Sequence, residues 1–291
     1  MSLPPPVGPR CYRHPDREGG RSCTRCGKPA CSDCLVQASV GSHCIDCAKA
    51  ARPDVNTRVK LASSRVLAPV TFGLIGINVA VFVLMGLADP AAFRGSITEW
   101  HANLGLSKAI LEGRVINWDG TGVIPPDQWY RLVTSGFIHF GFFHVGMNML
   151  LLYQLGMLLE RALGSGRTAA VYFASLLAGS LGVIIVDGGG LTGGASGAVF
   201  GLMACAAVGL HRRGVNVFST GIGTTLVLNL VLTFTISGIS VGGHVGGAIG
   251  GAICGWVLLA PTWRPFPRWM SWATPAAIAV LSVATTVMLV V

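Results

Sequence analysis

The residues in this sequence best suited to chemistry are Ser196, in GASG at residues 194–197, and His244, in GGHVGG at residues 242–247. Each stands among small residues where a loop gives way to an apolar run, so each is predicted at the N-terminus of a helix. Backbone N–H groups are unpaired there and face an incoming oxygen. A serine hydroxyl needs a base within hydrogen-bond reach to attack a carbonyl, and an imidazole serves. Alone, Ser196 reads as an N-cap or a small interface residue, and His244 as a hydrogen bonder between helices. Placed together at one depth, they read as an acyl-transfer dyad. His144 and Asn148 are four residues apart and share a helix face. They fit either interhelical hydrogen bonding or donation to the oxyanion of a tetrahedral intermediate, where each donor contributes about 3 kcal/mol.

The elements that must position these groups are membrane spans. With 52% hydrophobic and 11% charged residues and a mean hydropathy of +0.62, the 291-residue chain is too apolar for a soluble fold. The composition predicts an all-α polytopic membrane protein. Apolar runs at about 66–88, 142–160, 168–186, 195–210, 216–236, 241–260 and 270–291 give seven spans, suited to about 30 Å of hydrocarbon. Between them, loops carrying Arg161 and Arg167, Arg212 and Arg213, and Arg264 and Arg268 alternate with loops 187–194 and 237–240, which hold no Lys or Arg. Basic loops stay cytosolic, so the expectation is a cytosolic N-terminus and an external C-terminus. The opening MSLPPPVGPR has no apolar core, which agrees with a head that stays in the cytosol. The same bias accounts for the net charge of +9 and disfavours nucleic acid as a partner.

In that topology spans two, four and six begin on the external side, which brings His144, Asn148, Ser196 and His244 to similar depth. Glycines at 243, 247, 251 and 255, at 242, 246 and 250, and at 193, 197 and 201 repeat every four residues and allow close helix approach. Glu160 belongs to the far end of span two and Asp187 to the loop after span three, so the base is expected to work without a carboxylate orienter. Residues 89–130, with five acids, three bases, Trp100, Trp118, Trp129 and Tyr130, read as an amphipathic loop dipping into the outer leaflet. Cys205 and Cys254 lie within spans and read as packing residues.

The head, residues 1–50, is followed by a basic linker at 51–65; up to about residue 60 the chain carries seven of its nine cysteines. Four pairs occur with two residues between ligands: Cys11 with His14, Cys23 with Cys26, Cys31 with Cys34, and Cys44 with Cys47. Such spacing lets both members reach one tetrahedral ion, and eight ligands make two structural Zn2+ sites. Four disulfides fail on count, and on compartment if the head is cytosolic. His43 is an alternative ligand to Cys44. The order of pairs resembles a B-box zinc finger, in which first and third pairs share one ion and second and fourth the other. The resemblance implies Cys11, His14, Cys31 and Cys34 at one ion and Cys23, Cys26, Cys44 and Cys47 at the other. So few apolar residues predict a head that needs metal to fold.

The segment from Trp129 to Gly164, then GASGAVFG, then GGHVGG, resembles the rhomboid intramembrane serine proteases over about residues 66–260. The motifs are Trp129 with Arg131, His144 with Asn148, Glu160 with Gly164, Gly194 with Ser196, and Gly243 with His244. The resemblance implies a six-helix protease core at 66–264 and an additional helix at 265–291. It implies Ser196 as nucleophile, His244 as general base and acid, Asn148 and His144 as oxyanion-hole side chains, and Arg131 as anchor of the membrane-dipping loop. His139 aligns with a further motif histidine and reads as a structural hydrogen bonder. Two departures stand out: Phe200 occupies a position where many rhomboids have tyrosine, and Tyr130 separates Trp129 from Arg131.

The expected function is hydrolysis of peptide bonds in or near transmembrane segments of other membrane proteins, in a bacterial-type plasma membrane. The expected partners are those substrates, the lipid bilayer and a cytosolic protein that meets the zinc head. Catalysis itself requires no cofactor. One alternative is an inactive rhomboid-like client binder, though such relatives usually lack the serine or the histidine. Another is a transporter, which calls for a coupling carboxylate at mid-membrane that these spans lack.

Overall fold

The computed structural model describes residues 8–38, 40–50, 68–187 and 189–291. The linker at 51–65 and the first two residues of the first expected span, Val66 and Leu67, lie outside the described residues. The chain forms two compact units, Met1–Leu67 and Ala68–Val291.

In the first unit two short antiparallel pairs, β1 (Arg21–Ser22) with β2 (Pro29–Ala30) and β3 (Leu35–Gln37) with β4 (Ser42–Cys44), are followed by α1 (Ile45–Ala50). Its buried residues are largely the cysteines themselves; Cys11, Cys31 and Cys34 pack with Ala30 against Tyr12, Leu35 and Ile45. That cluster is too small to fold a domain of this size unaided.

The second unit is helical. It contains α2 (Pro69–Ala88), α3 (Glu99–Leu104), α4 (Lys108–Leu111), α5 (Arg131–Thr134), α6 (Gly141–Leu163), α7 (Ser165–Val186), α8 (Ser196–Arg212), α9 (Ile222–Thr235), α10 (Val241–Leu258) and α11 (Met270–Val290). Five of these, α2, α6, α7, α10 and α11, are long and apolar enough to cross a membrane, while α8 and α9 are shorter apolar helices. The run expected as one span at 216–236 divides into a 3-10 turn at Val217–Thr220 and the 14-residue α9. Gly221, at φ +77°, sets the break. At 1.5 Å per residue α9 covers about 21 Å, short of the hydrocarbon thickness.

Helix α8 is the centre of the bundle, with twelve of its 17 residues buried, as a helix apolar on every face must be. It packs most closely on α10. A Cβ on Gly247 would run into the backbone of Gly197, one on Gly251 into Gly201, and one on Gly255 into Cys205. The second glycine row of α10 meets α7 instead: Gly242 lies on Gly182, and Gly246 on Ala178. Helix α11 packs along α7 and α10. The start of α2 is capped from a distance by buried Glu160, whose carboxylate accepts from the N–H groups of Val70 (3.0 Å) and Thr71 (2.9 Å) and from the Thr71 hydroxyl (2.7 Å). An anion at a helix N-terminus is favourably placed.

Candidate active site

Ser196 is the first residue of α8 and His244 lies in the first turn of α10. The glycine contacts between these helices bring the serine Oγ to 2.8 Å from His244 Nε2. The imidazole is held on two further sides. Phe200, one turn below Ser196, stacks on it with ring centroids 4.1 Å apart and planes 17° apart, so the phenyl ring supplies the face contact without a hydroxyl. On the other nitrogen, Nδ1 lies 2.7 Å from the hydroxyl of Thr233 on α9. Thr233 escaped the sequence reading because a threonine in an apolar run has no motif.

The N-terminus of α10 is fixed by Ser240, whose hydroxyl accepts from the Gly243 N–H at 2.9 Å and donates to Asp187. Asp187 also accepts from the Gly242 N–H at 2.8 Å. The carboxylate therefore caps the helix that carries His244 and does not touch the imidazole.

The loop before Ser196 is clamped from two sides. Leu106 and Thr192 exchange backbone hydrogen bonds of 2.9 and 2.8 Å, and the Gly194 N–H donates to the Ser135 carbonyl at 2.7 Å. Arg131, fully buried, donates to the carbonyls of Ala102 (2.7 Å) and Gly105 (2.8 Å) and to Gln128 (2.7 Å), and so holds the long loop that delivers Leu106. Tyr130 points outward, its hydroxyl donating to Gln128, and leaves Arg131 free to face inward. Burial lowers the pKa of the Arg131 guanidinium and that of His101 in the same loop. For His101 this favours the neutral ring, whose Nδ1 accepts from the Thr98 N–H while Nε2 faces the His139 carbonyl.

His144 and Asn148 occupy the first two turns of α6. The His144 ring lies against Gly194, where a Cβ would stand 2.7 Å from its Nε2, and Gly194 has φ +128°. Only glycine suits both conditions. His144 Nδ1 accepts from the Phe140 N–H at 3.3 Å, which leaves Nε2 to carry the proton on the side of the serine loop. Asn148 spends one amide hydrogen on the His144 carbonyl at 2.9 Å and keeps the other. Buried His139 accepts from the Ala195 N–H at 3.5 Å. The backbone N–H groups of Ser196 and Gly197 donate to no group among the described residues. Beside Ser196 lies a cavity of about 40 Å³ whose lining includes Ser135, Ser180, Thr192 and Ser240, large and polar enough for water.

This arrangement of serine, imidazole and free N–H groups at the buried end of an apolar bundle invites comparison with known proteins. Residues 126–261 match the Rhomboid domain. Rhomboid protease GluP of Bacillus subtilis is 34% identical over 110 residues, which is 38% of this chain and 21% of that protein. Rhomboid protein 1, mitochondrial, of Saccharomyces cerevisiae is 32% identical over 142 residues, 46% of this chain and 34% of its own length. Rhomboid-related protein 3 of Homo sapiens is 38% identical over 77 residues, 26% of this chain and 19% of its own. The chain thus spans between a fifth and a third of the length of these relatives. The Rhomboid domain and the apolar helices together support an integral membrane protein. Ser196, His244, His144, Asn148, Glu160 and Arg131 all fall within the matched stretch, and the head falls outside it.

In the head the donor atoms of Cys11, His14, Cys31 and Cys34 lie within 4.8 Å of one another, as do those of Cys23, Cys26, Cys44 and Cys47. His14 Nδ1 is 3.4 Å from Cys34 Sγ and 3.5 Å from Cys31 Sγ, and Cys26 Sγ is 3.7 Å from Cys44 Sγ. Zinc–sulfur bonds of about 2.3 Å put tetrahedral neighbours about 3.8 Å apart, so the spacing and chemistry of both donor sets fit Zn2+. Cys44, and not His43, joins the second set.

Proposed function

We propose that this chain is a rhomboid-type intramembrane serine protease that cleaves transmembrane segments of other membrane proteins near their external end. The observation that carries this reading is the 2.8 Å approach of Ser196 Oγ to His244 Nε2, at a helix N-terminus with free N–H groups. Ser196 Oγ attacks the scissile carbonyl carbon while its proton passes to His244 Nε2, and the carbonyl π electrons move to oxygen. The resulting oxyanion is met by the N–H groups of Ser196 and Gly197, by His144 Nε2–H and by the spare amide hydrogen of Asn148. Collapse breaks the C–N bond, His244 returns the proton to the leaving amine, and water held by the neighbouring hydroxyls hydrolyses the acyl ester with His244 as base. The Rhomboid match and the relatives named as proteases support this reading over that of an inactive client binder, which has no use for a paired nucleophile and base.

The basic loops support a cytosolic N-terminus and an external C-terminus, with five full-length spans and the shorter α8 and α9 set in a bacterial-type plasma membrane. The head is a two-zinc domain: Cys11, His14, Cys31 and Cys34 hold one Zn2+, and Cys23, Cys26, Cys44 and Cys47 the other. The ions supply cross-links in place of a core, and the head's surface serves a cytosolic protein partner.

The test is Ser196→Ala in liposomes with a single-pass substrate. Cleavage is expected to fall to background and fluorophosphonate labelling to vanish, with thermal stability unchanged; cleavage at the wild-type rate removes the mechanism.

A further inference from the structure

We propose that Thr233 on α9 orients the His244 base, accepting a hydrogen bond from the imidazole Nδ1–H and so holding the tautomer whose Nε2 is free to take the serine proton. The inference rests on the Ser196–His244 protease reading and names a member of that site outside the residues expected from sequence.

The argument is one of hydrogen count. Three groups stand in line: Ser196 Oγ at 2.8 Å from His244 Nε2, Nδ1 at 2.7 Å from Thr233 Oγ1, and Thr233 Oγ1 at 2.7 Å from the Asn229 carbonyl. Between them the two hydroxyls and the neutral ring own three polar hydrogens. If the ring proton is on Nδ1, all three contacts are hydrogen bonds. Ser196 then donates to Nε2, Nδ1 donates to Thr233, and Thr233 donates to the Asn229 carbonyl. If the ring proton is on Nε2, the Thr233 hydrogen must turn to Nδ1. The contact between Thr233 Oγ1 and the Asn229 oxygen then holds no hydrogen at 2.7 Å, and the Ser196 hydrogen loses its acceptor. The first arrangement satisfies every buried group, as buried polar groups require. It is also the one that can act as a base.

Among the described residues no acid competes for the role. Asp187 is taken by Ser240 and Gly242, and Glu160 by Val70 and Thr71. The placement of Thr233 is itself unusual. Thr233 and Gly223 are the buried residues of α9, whose Leu228, Val231 and Phe234 are exposed. A helix that buries so little turns a hydroxyl onto the His244 imidazole. During attack the serine proton moves to Nε2 and later to the leaving amine. Nδ1–H stays on the ring throughout, and Thr233 keeps its own hydrogen on Asn229, so the threonine is a positioning residue.

Two measurements decide the matter. Solid-state NMR of 15N-histidine protein in bilayers, with the His244 signal assigned through His244→Asn, is expected to show Nδ1 protonated and Nε2 bare in the wild type. Thr233→Val, which keeps the shape and removes the hydroxyl, is expected to lower kcat about 10- to 100-fold with KM little changed. Thr233→Ser is expected to restore most of the rate. A wild-type ring protonated on Nε2 overturns the inference, and so does Thr233→Val turning over at the wild-type rate while Ser196→Ala is inactive. Cleavage by Ser196→Ala would instead remove the protease reading, and the ring spectrum still reports on Thr233. If Thr233→Val does not fold, the wild-type spectrum alone decides.

Discussion

The two units of this chain face the same shortage and meet it in opposite ways. The head cannot rely on a hydrophobic core because its described residues bury little beyond cysteines and a few small side chains. The bundle cannot rely on the hydrophobic effect between helices because lipid is as apolar as they are. The head brings two sets of four donor atoms within 4.8 Å, so under the two-zinc proposal its order would be concentrated in a few strong bonds. The bundle leaves out Cβ atoms along α8, α10 and α7 and spreads its order over many weak backbone contacts. Each device also serves position: what fixes α8 against α10 is what holds Ser196 on His244.

This contrast can be broken or sharpened, beginning with its largest expected effect. Removing metal with a strong chelator is expected to unfold the head, because structural zinc contributes on the order of 10–16 kcal/mol in small domains. Loss of the β3–β4 amide signals, recovered on adding Zn2+, would be the measurement; an unchanged spectrum would mean that the head has another source of order. Next in size is Gly251→Val, which sets a branched side chain against the Gly201 backbone. It is expected to cost about 3 kcal/mol or more and to lower both the melting temperature in detergent and cleavage, since the serine and imidazole separate. The smallest effect belongs to the face that neither device touches. Leu228→Ala on exposed α9 is expected to change stability by less than about 0.5 kcal/mol, and a large loss there would show that α9 is packed by something outside the unit.

Much of this was legible in sequence, for identifiable reasons. The gathering of the head's cysteines was legible because pairs such as Cys23 with Cys26 and Cys44 with Cys47 carry the spacing a tetrahedral ion would require, and their donor atoms do come together. Ser196 and His244 stand out because glycines flank them and because polar groups are costly in apolar runs. The limits are equally physical. Hydropathy sees residues 216–236 as one run and cannot register that Gly221 turns the chain. Glycine spacing in α10 predicted a close neighbour but not that one row faces α8 while the other faces Gly182 of α7. The Leu106–Thr192 pairing joins two backbone segments, and backbone pairing of single residues leaves no trace in side-chain order. Thr233 is hidden because its role depends on which way α9 is turned, and one threonine in an apolar helix does not reveal that.

The burial of α8 on every side has a consequence for how such a protein diversifies. Its closest contacts with α10, at Gly197, Gly201 and Cys205, are with main-chain atoms, and main chain cannot be exchanged one residue at a time. Under the protease reading, changes in substrate preference are expected where side chains are free to vary, on the open flank of α9 and along residues 89–130. The α8–α10 contact stays a fixed part while its surroundings are rewritten.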